Sequence, residues 1–103
     1  MQISVLTPDR TVFTGEISSV TLPGVEGSFQ LLNNHAPLVS ALSGGRVELV
    51  PATAGYKYYN EDDKATVTGE RVGSPMAFTI DGGFVEVLNN KVNLLVQGAR
   101  NMR

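Results

Sequence analysis

The stretch from Met76 to Val96, MAFTIDGGFVEVLNNKVNLLV, carries the clearest strand signal in the chain. Met76, Phe78 and Ile80 alternate with Ala77 and Thr79, the period of 2 that puts one set of side chains on one face of a sheet. Asp81-Gly82-Gly83 then turns the chain, and Phe84, Val85, Val87 and Leu88 return it. Asn89-Asn90 turns it again, and Val92, Leu94, Leu95 and Val96 finish. Gly and Asn accept the positive φ values that tight hairpin turns require. A three-stranded meander is predicted.

The same signals recur toward the amino terminus. Ile3 and Val5 stand before Thr7-Pro8-Asp9-Arg10, and Val12 and Phe13 after it, which predicts strand, turn, strand. From Glu16, Ile17, Val20 and Leu22 interleave with Ser18, Ser19 and Thr21 until Pro23-Gly24. Gly24-Val25-Glu26-Gly27 predicts a loop, Phe29, Leu31 and Leu32 a short strand, and Asn33-Asn34-His35-Ala36-Pro37 another turn. Leu38 to Leu42 is an apolar run too short for a helix, and Val47 to Val50 form a strand past Gly44-Gly45. Segment 51–75 is polar and turn-rich. Its Tyr56-x-Tyr58 alternation and its Glu61-Asp62-Asp63 cluster predict a protruding hairpin with an acidic tip.

Nine or ten short strands, with no window of sustained helical period, predict an all-β chain folded as a β-sandwich or flattened barrel. At 103 residues, one core and one domain, 1–103, are expected. Hydrophobic residues at 42% and charged ones at 17% argue against charge-driven disorder. The net charge of −2 offers no basic stripe for phosphates, so nucleic acid is an unfavoured partner. With no cysteine there are no disulfides, zinc-thiolate sites or cysteine nucleophiles. The start of the chain lacks the basic and apolar regions of a secretory signal, and no run approaches the ~18 apolar residues that suggest a membrane helix.

Reactive constellations are missing as well. His35 is the lone histidine, set between an Asn-Asn turn and Ala36-Pro37, where tethering of loop backbone is the stronger reading than acid–base work. Ser28, Ser40 and Ser43 sit in no Gly-x-Ser-x-Gly elbow. Glu61-Asp62-Asp63 lacks the alternation and central glycine of a calcium loop, and no Lys-Ser or Lys-Thr follows Gly24-Val25-Glu26-Gly27 to make a phosphate cradle. Glu48 and Glu86 lie on separate strands and do not form an evident carboxylate pair. No catalytic, cofactor or metal residues are assigned, and a non-enzyme is expected.

Three blocks nevertheless have a recognisable order. Val20-Thr21-Leu22-Pro23-Gly24-Val25-Glu26-Gly27-Ser28-Phe29 followed by Asn34-His35-Ala36-Pro37-Leu38-Val39-Ser40-Ala41-Leu42 closely resembles the epsilon subunit of F-type ATP synthases. Thr7-Pro8-Asp9 with Val12-Phe13-Thr14-Gly15-Glu16, and Asp81-Gly82-Gly83-Phe84 through Val92, match the same family's opening strands and closing meander. The resemblance covers roughly residues 2 to 50 and 76 to 99, and it leaves 51–75 as an apparent hairpin insertion.

The resemblance implies a ten-stranded β-sandwich at the foot of the central rotor stalk. Such a subunit clamps the gamma subunit and rests on the c-ring, joining proton-driven rotation to ATP synthesis without catalysing anything itself. Carried over by position, Gly24, Val25, Glu26, Gly27 and Ser28 would face the c-ring, Glu26 meeting a positive ring loop; Ser28 stands where a second acid is frequent. Thr7, His35, Ala36, Pro37, Leu38, Val39, Leu42, Gly82, Gly83 and Phe84 would face gamma. Family members commonly continue into two carboxy-terminal helices, some of which bind ATP. With the chain ending at Arg103, no helical hairpin, no nucleotide site and no cofactor are expected. Membrane contact would be only indirect, through the c-ring, at the cytoplasmic face of a bacterial inner membrane or the stromal face of a plastid membrane. The competing readings are a free-standing β-sandwich module for peptide or carbohydrate, and a small hydrolase using His35.

Overall fold

A computed structural model describes residues 1–102, which form strands and turns with no helix among them. The strands are β1 (Gln2–Leu6), β2 (Thr11–Gly24), β3 (Gly27–Leu32), β4 (Leu38–Leu42), β5 (Gly45–Pro51) and β6 (Tyr56–Asn60). They continue with β7 (Ala65–Gly69), β8 (Met76–Ile80), β9 (Gly83–Leu88), β10 (Lys91–Val96) and β11 (Ala99–Arg100). Ten strands were expected; the described residues hold eleven, the last a two-residue pairing of Ala99 with Ile80 and Arg100 with Thr79.

The element that organises the rest is β2. The strand signals read separately at Val12-Phe13 and from Glu16 onward join, and residues 11 to 24 run as one strand of 14 residues. The strand survives because its neighbours change along its length. Its first half pairs with β1 on one edge (Val5 opposite Phe13) and with β6 on the other (Tyr58 opposite Phe13). Its second half pairs with β3 (Val20 opposite Leu31) and with β5 (Val20 opposite Leu49). A register shift between Ile17 and Ser19 marks the handover, where a bulge bends the strand from one sheet into the other.

Two sheets therefore share β2. The first runs β7-β6-β2-β1-β10-β9-β4, with β1 and β10 parallel and the other pairs antiparallel; the second runs β3-β2-β5-β8-β11. A single pairing of Gly24 with Leu42 ties β4 back to β2. Between the sheets lies one hydrophobic cluster that includes Ile3, Phe13, Leu22, Leu49, Phe78, Ile80 and Leu94. No buried side-chain nitrogen or oxygen among the described residues lacks a hydrogen-bond partner. A sandwich so filled is dry and stiff, because close packing resists deformation.

The turns follow the predicted chemistry. Asn89 and Asn90 both have positive φ, 51° and 61°, joining Leu88 to its partner Lys91 through the two-residue loop that matches strand twist. Residues 56–69 do form a hairpin with Glu61, Asp62, Asp63 and Lys64 at its tip. Its base, however, does not protrude. Tyr56 is only 4% exposed, stacks on Phe13 at 5.4 Å and donates its hydroxyl to the Arg71 carbonyl at 2.9 Å. The alternation of Tyr56 and Tyr58, read as hairpin decoration, buries an aromatic anchor in the core.

Candidate functional site

Registers sort the turns into two groups at opposite ends of the sandwich. Gly24, Leu42, Gly83 and Val96 lie side by side, so the turns after Gly24, Leu42 and Ile80 share an end. The Thr7–Arg10 turn and the tip of the β6–β7 hairpin are at that end too, since Leu6 pairs with Leu95 and Asn60 lies beyond Tyr58 and its partner Phe13. At the other end, Asn34 N–H donates to Asn90 Oδ1 at 2.7 Å and Gln2 N–H to the Asn90 carbonyl at 3.2 Å, placing Asn33–Pro37 there.

Gly24 to Ser28 thus form the tip of the β2–β3 hairpin, with Val25, Glu26, Gly27 and Ser28 all exposed. Val25 projects at 63% exposure, a large apolar side chain beside a carboxylate on a stiff turn. Glu26 shares its end with exposed Asp9, Asp81 and the acidic hairpin tip, against Arg10, Lys64 and Arg100. Arg100 is already engaged by Asp81, at 2.8 Å.

The other predicted set divides. Leu42, at 5% exposure, belongs to the core rather than to a surface: alternation along β4 points it inward. Leu38, on the same side, is half-buried and packs against the core cluster. Gly82 is buried, its carbonyl accepting the Gln97 N–H at 3.0 Å. Thr7 is occupied in its own turn, donating its N–H to the Arg10 carbonyl at 2.9 Å. His35, Ala36 and Pro37 are exposed at the opposite end, and His35 Nδ1 lies 2.8 Å from the adjacent Ala36 carbonyl oxygen, a contact within the loop itself. Val39 and Phe84, by contrast, stand out into solvent at 71% and 57% exposure.

Those two are part of something larger. Ala41 pairs with Phe84, Phe84 with Leu95 and Leu95 with Leu6, a row of apolar side chains across four adjacent strands on the outside of the first sheet. The next row holds Val39, Glu86, Asn93 and Ser4, and Asn93 Nδ2 donates to Glu86 Oε1 at 3.3 Å within it. Leu88, half exposed, lies beyond. The matching face of the second sheet is more polar, presenting Ser19, Thr21, Gln30, Glu48, Arg46 and Thr79 around Ala77 and the exposed Leu32. Contiguous exposed apolar side chains with a polar rim mark a docking surface. Leu6, Ala41, Leu88 and Leu95 were not singled out from sequence. The available signal was that β9 and β10 carry apolar residues on both faces, which a sheet wetted on one side does not need.

Reactive geometry is not assembled here. Among the described residues no group of three or more His, Asp or Glu side chains is placed to hold a metal ion. A cleft of about 230 Å³ opens between the Thr7–Val12 turn, Tyr59 and the Gln97–Met102 segment, with the Arg10 guanidinium 4.1 Å over the Tyr59 ring.

Comparison with known proteins places this scaffold. The model of the ATP synthase delta/epsilon chain β-sandwich domain matches residues 1–72. The ATP synthase epsilon chain of Chlorobium limicola is 36% identical over 96 residues, 93% of this chain and 88% of the relative. That of Chlorobaculum tepidum is 38% identical over 92% of this chain and 86% of the relative, and that of Helicobacter pylori 34% over 96% and 64%. Among solved structures, a chain of the Euglena gracilis mitochondrial ATP synthase superposes with a TM-score of 0.71 at 20% identity, over 95% of this chain and 51% of that one. A chain of the Tetrahymena thermophila central stalk and c-ring gives 0.64 at 21%, over 98% and 66%. A sandwich of this topology, matched by the domain model over most of its length and by bacterial relatives over nearly all of it, belongs to the ATP synthase delta/epsilon chain family.

Proposed function

We propose that this chain is the rotor subunit that joins the gamma shaft of a proton-translocating F-type ATP synthase to its c-ring. Epsilon chains are non-catalytic subunits of that enzyme. Coupling needs stiffness and adhesion, and the single observation that supports this reading is the apolar row of Leu6, Leu95, Phe84 and Ala41 on one outer sheet face of a tightly packed sandwich.

Gamma docks on that face, with Val39 and Phe84 as the most exposed anchors. Burying them also covers Glu86, whose carboxylate keeps its hydrogen bond from Asn93, and the ladder behind them holds their positions, so torque is not dissipated in the sheet. The Gly24–Ser28 tip, at the end of the molecule, meets the ring. Val25 supplies apolar contact and Glu26 an ion pair to a basic ring loop; with Ser28 uncharged, the ionic share rests on Glu26. The subunit works at the cytoplasmic face of a bacterial inner membrane, held there through the ring.

Co-purification with gamma from gently solubilised membranes tests this. Phe84→Asp places an unpaired charge in the desolvated contact and is expected to weaken gamma retention at least tenfold, while the purified variant melts within a few degrees of the parent. Leu38→Asp is the wrong probe, because an inward, half-buried leucine reports on folding. Retention of gamma at the parental level by Phe84→Asp and Val39→Asp together excludes this face as the docking surface.

A further inference from the structure

We infer that the β6–β7 hairpin is a lateral extension of the gamma-docking face, so that the shaft subunit is held across seven strands rather than four. The inference rests on the docking reading above and adds a contact surface to it.

Its basis is the way β6 joins the sheet. Phe13 pairs with Val5 on one edge of β2 and with Tyr58 on the other, so the hairpin continues the sheet whose outer face carries the apolar row. The middle row, Val39 to Ser4, passes on through Thr14 to Lys57 and then Thr68. Lateral contacts keep these side chains on one side: Gln2 Nε2 donates to Thr14 Oγ1 at 3.3 Å, and Lys57 Nζ donates to Thr68 Oγ1 at 2.5 Å. Alternation puts Tyr59 and its partner Thr66 on that side as well, next to Arg10.

The hairpin is also fixed in this plane. Tyr56 wedges against Phe13, and a Cβ added at Gly69 would lie 1.9 Å from its ring, so the ring occupies the space that glycine leaves. Size supports the same conclusion. Seven strands in place of four enlarge the flat footprint of the face by about three quarters, so the hairpin gives the shaft subunit more sheet to lie on. The chemistry grades across the sheet, from apolar side chains on β9 and β10 to a polar flank on the hairpin side, where Lys57, Arg10, Thr66 and Thr68 lie near Glu16, itself paired with the Met1 ammonium at 3.3 Å. The gamma segment that fits has an apolar stretch flanked on the hairpin side by carboxylates.

The test is binding of the full chain to purified gamma, measured for the parent and for three variants. Lys57→Glu with Tyr59→Ser, both on the outer face, is expected to weaken binding about tenfold, with a loss that shrinks as salt rises. Phe84→Asp is expected to weaken it further, and Asp62→Asn with Asp63→Asn to leave it unchanged. If Phe84→Asp weakens binding but the hairpin double variant stays within twofold, the extension is wrong and the docking reading survives. If neither changes binding, the docking reading itself falls. A loss confined to the tip variant overturns the extension in favour of contact through the acidic turn. Amide exchange across β6 and β7 provides a second readout: protection should increase on gamma binding, and unchanged rates refute the contact even where a variant misfolds.

Discussion

Tyr56 shows how much one side chain decides. Burial pushes its hydroxyl above the ordinary value near 10, and the neighbouring phenol of Tyr58 adds to the shift in the same direction. A raised value in the folded state means that folding holds the proton more tightly. The stabilisation is therefore complete below about pH 10, the value of the unfolded chain, and is lost as pH climbs through the folded-state value. Alkaline titration of the melting temperature should show a fall above pH 10 that is reduced in Tyr56→Phe. The same variant loses the hydrogen bond to the Arg71 carbonyl, worth about 1 kcal/mol at neutral pH. A parental alkaline limb in the variant would mean that other groups govern that transition. Leu42 gives a second measure at this scale. As a core residue, Leu42→Ala should cost about 2–5 kcal/mol in denaturant unfolding; a cost below 1 kcal/mol would return Leu42 to the surface.

Among the elements, the β6–β7 hairpin departs furthest from its sequence reading. Polar composition and an acidic turn suggest an appendage, but pairing with β2 and the Tyr56 wedge make its base structural. Gly69→Ala tests this without removing any group: the added methyl meets the Tyr56 ring, and the displaced ring should lower stability by about 1–3 kcal/mol and alter the near-ultraviolet dichroism of the Phe13–Tyr56 stack. Removal of residues 54–72 should destabilise the sandwich by several kcal/mol, since Phe13 loses its cover; a parental melt would restore the appendage reading. The strand β2 teaches a related lesson. Its glycine at position 15 lies against Tyr56, with a Cβ there falling 2.6 Å from the Tyr56 Cβ. A small residue was required by a neighbour 41 positions away, and no local signal can report that.

For the whole molecule, asymmetry between the two outer sheet faces and between the two ends gives the sandwich its directions. One outer face carries the apolar row beside a mixed one, and the other is mostly polar apart from Leu32; one end carries Val25 and Glu26, the other the His35 loop. On the proposed ring contact, Glu26→Lys reverses the charge at the tip and should reduce retention of the c-ring with the complex, most strongly at low salt, while gamma stays bound. Simultaneous loss of gamma would show that the tip does not act independently of the face.

Strand identity, the Asn89-Asn90 and Gly24–Gly27 turns, the all-β class and the family resemblance were readable along the chain, because the period of 2 and the φ preferences of Gly, Asn and Pro are local properties that need no partner. The choice between core and surface was not. At one end of β9 and β10 both sides of the strand are apolar, Phe84 against Val85 and Leu95 against Leu94, so hydrophobicity is locally degenerate there and pairing with β1 and β4 sets which side faces in. The exposed apolar row, the burial of Leu42 and the anchoring of the hairpin follow from contacts between residues distant in sequence, which form only once the two sheets have closed over a common interior.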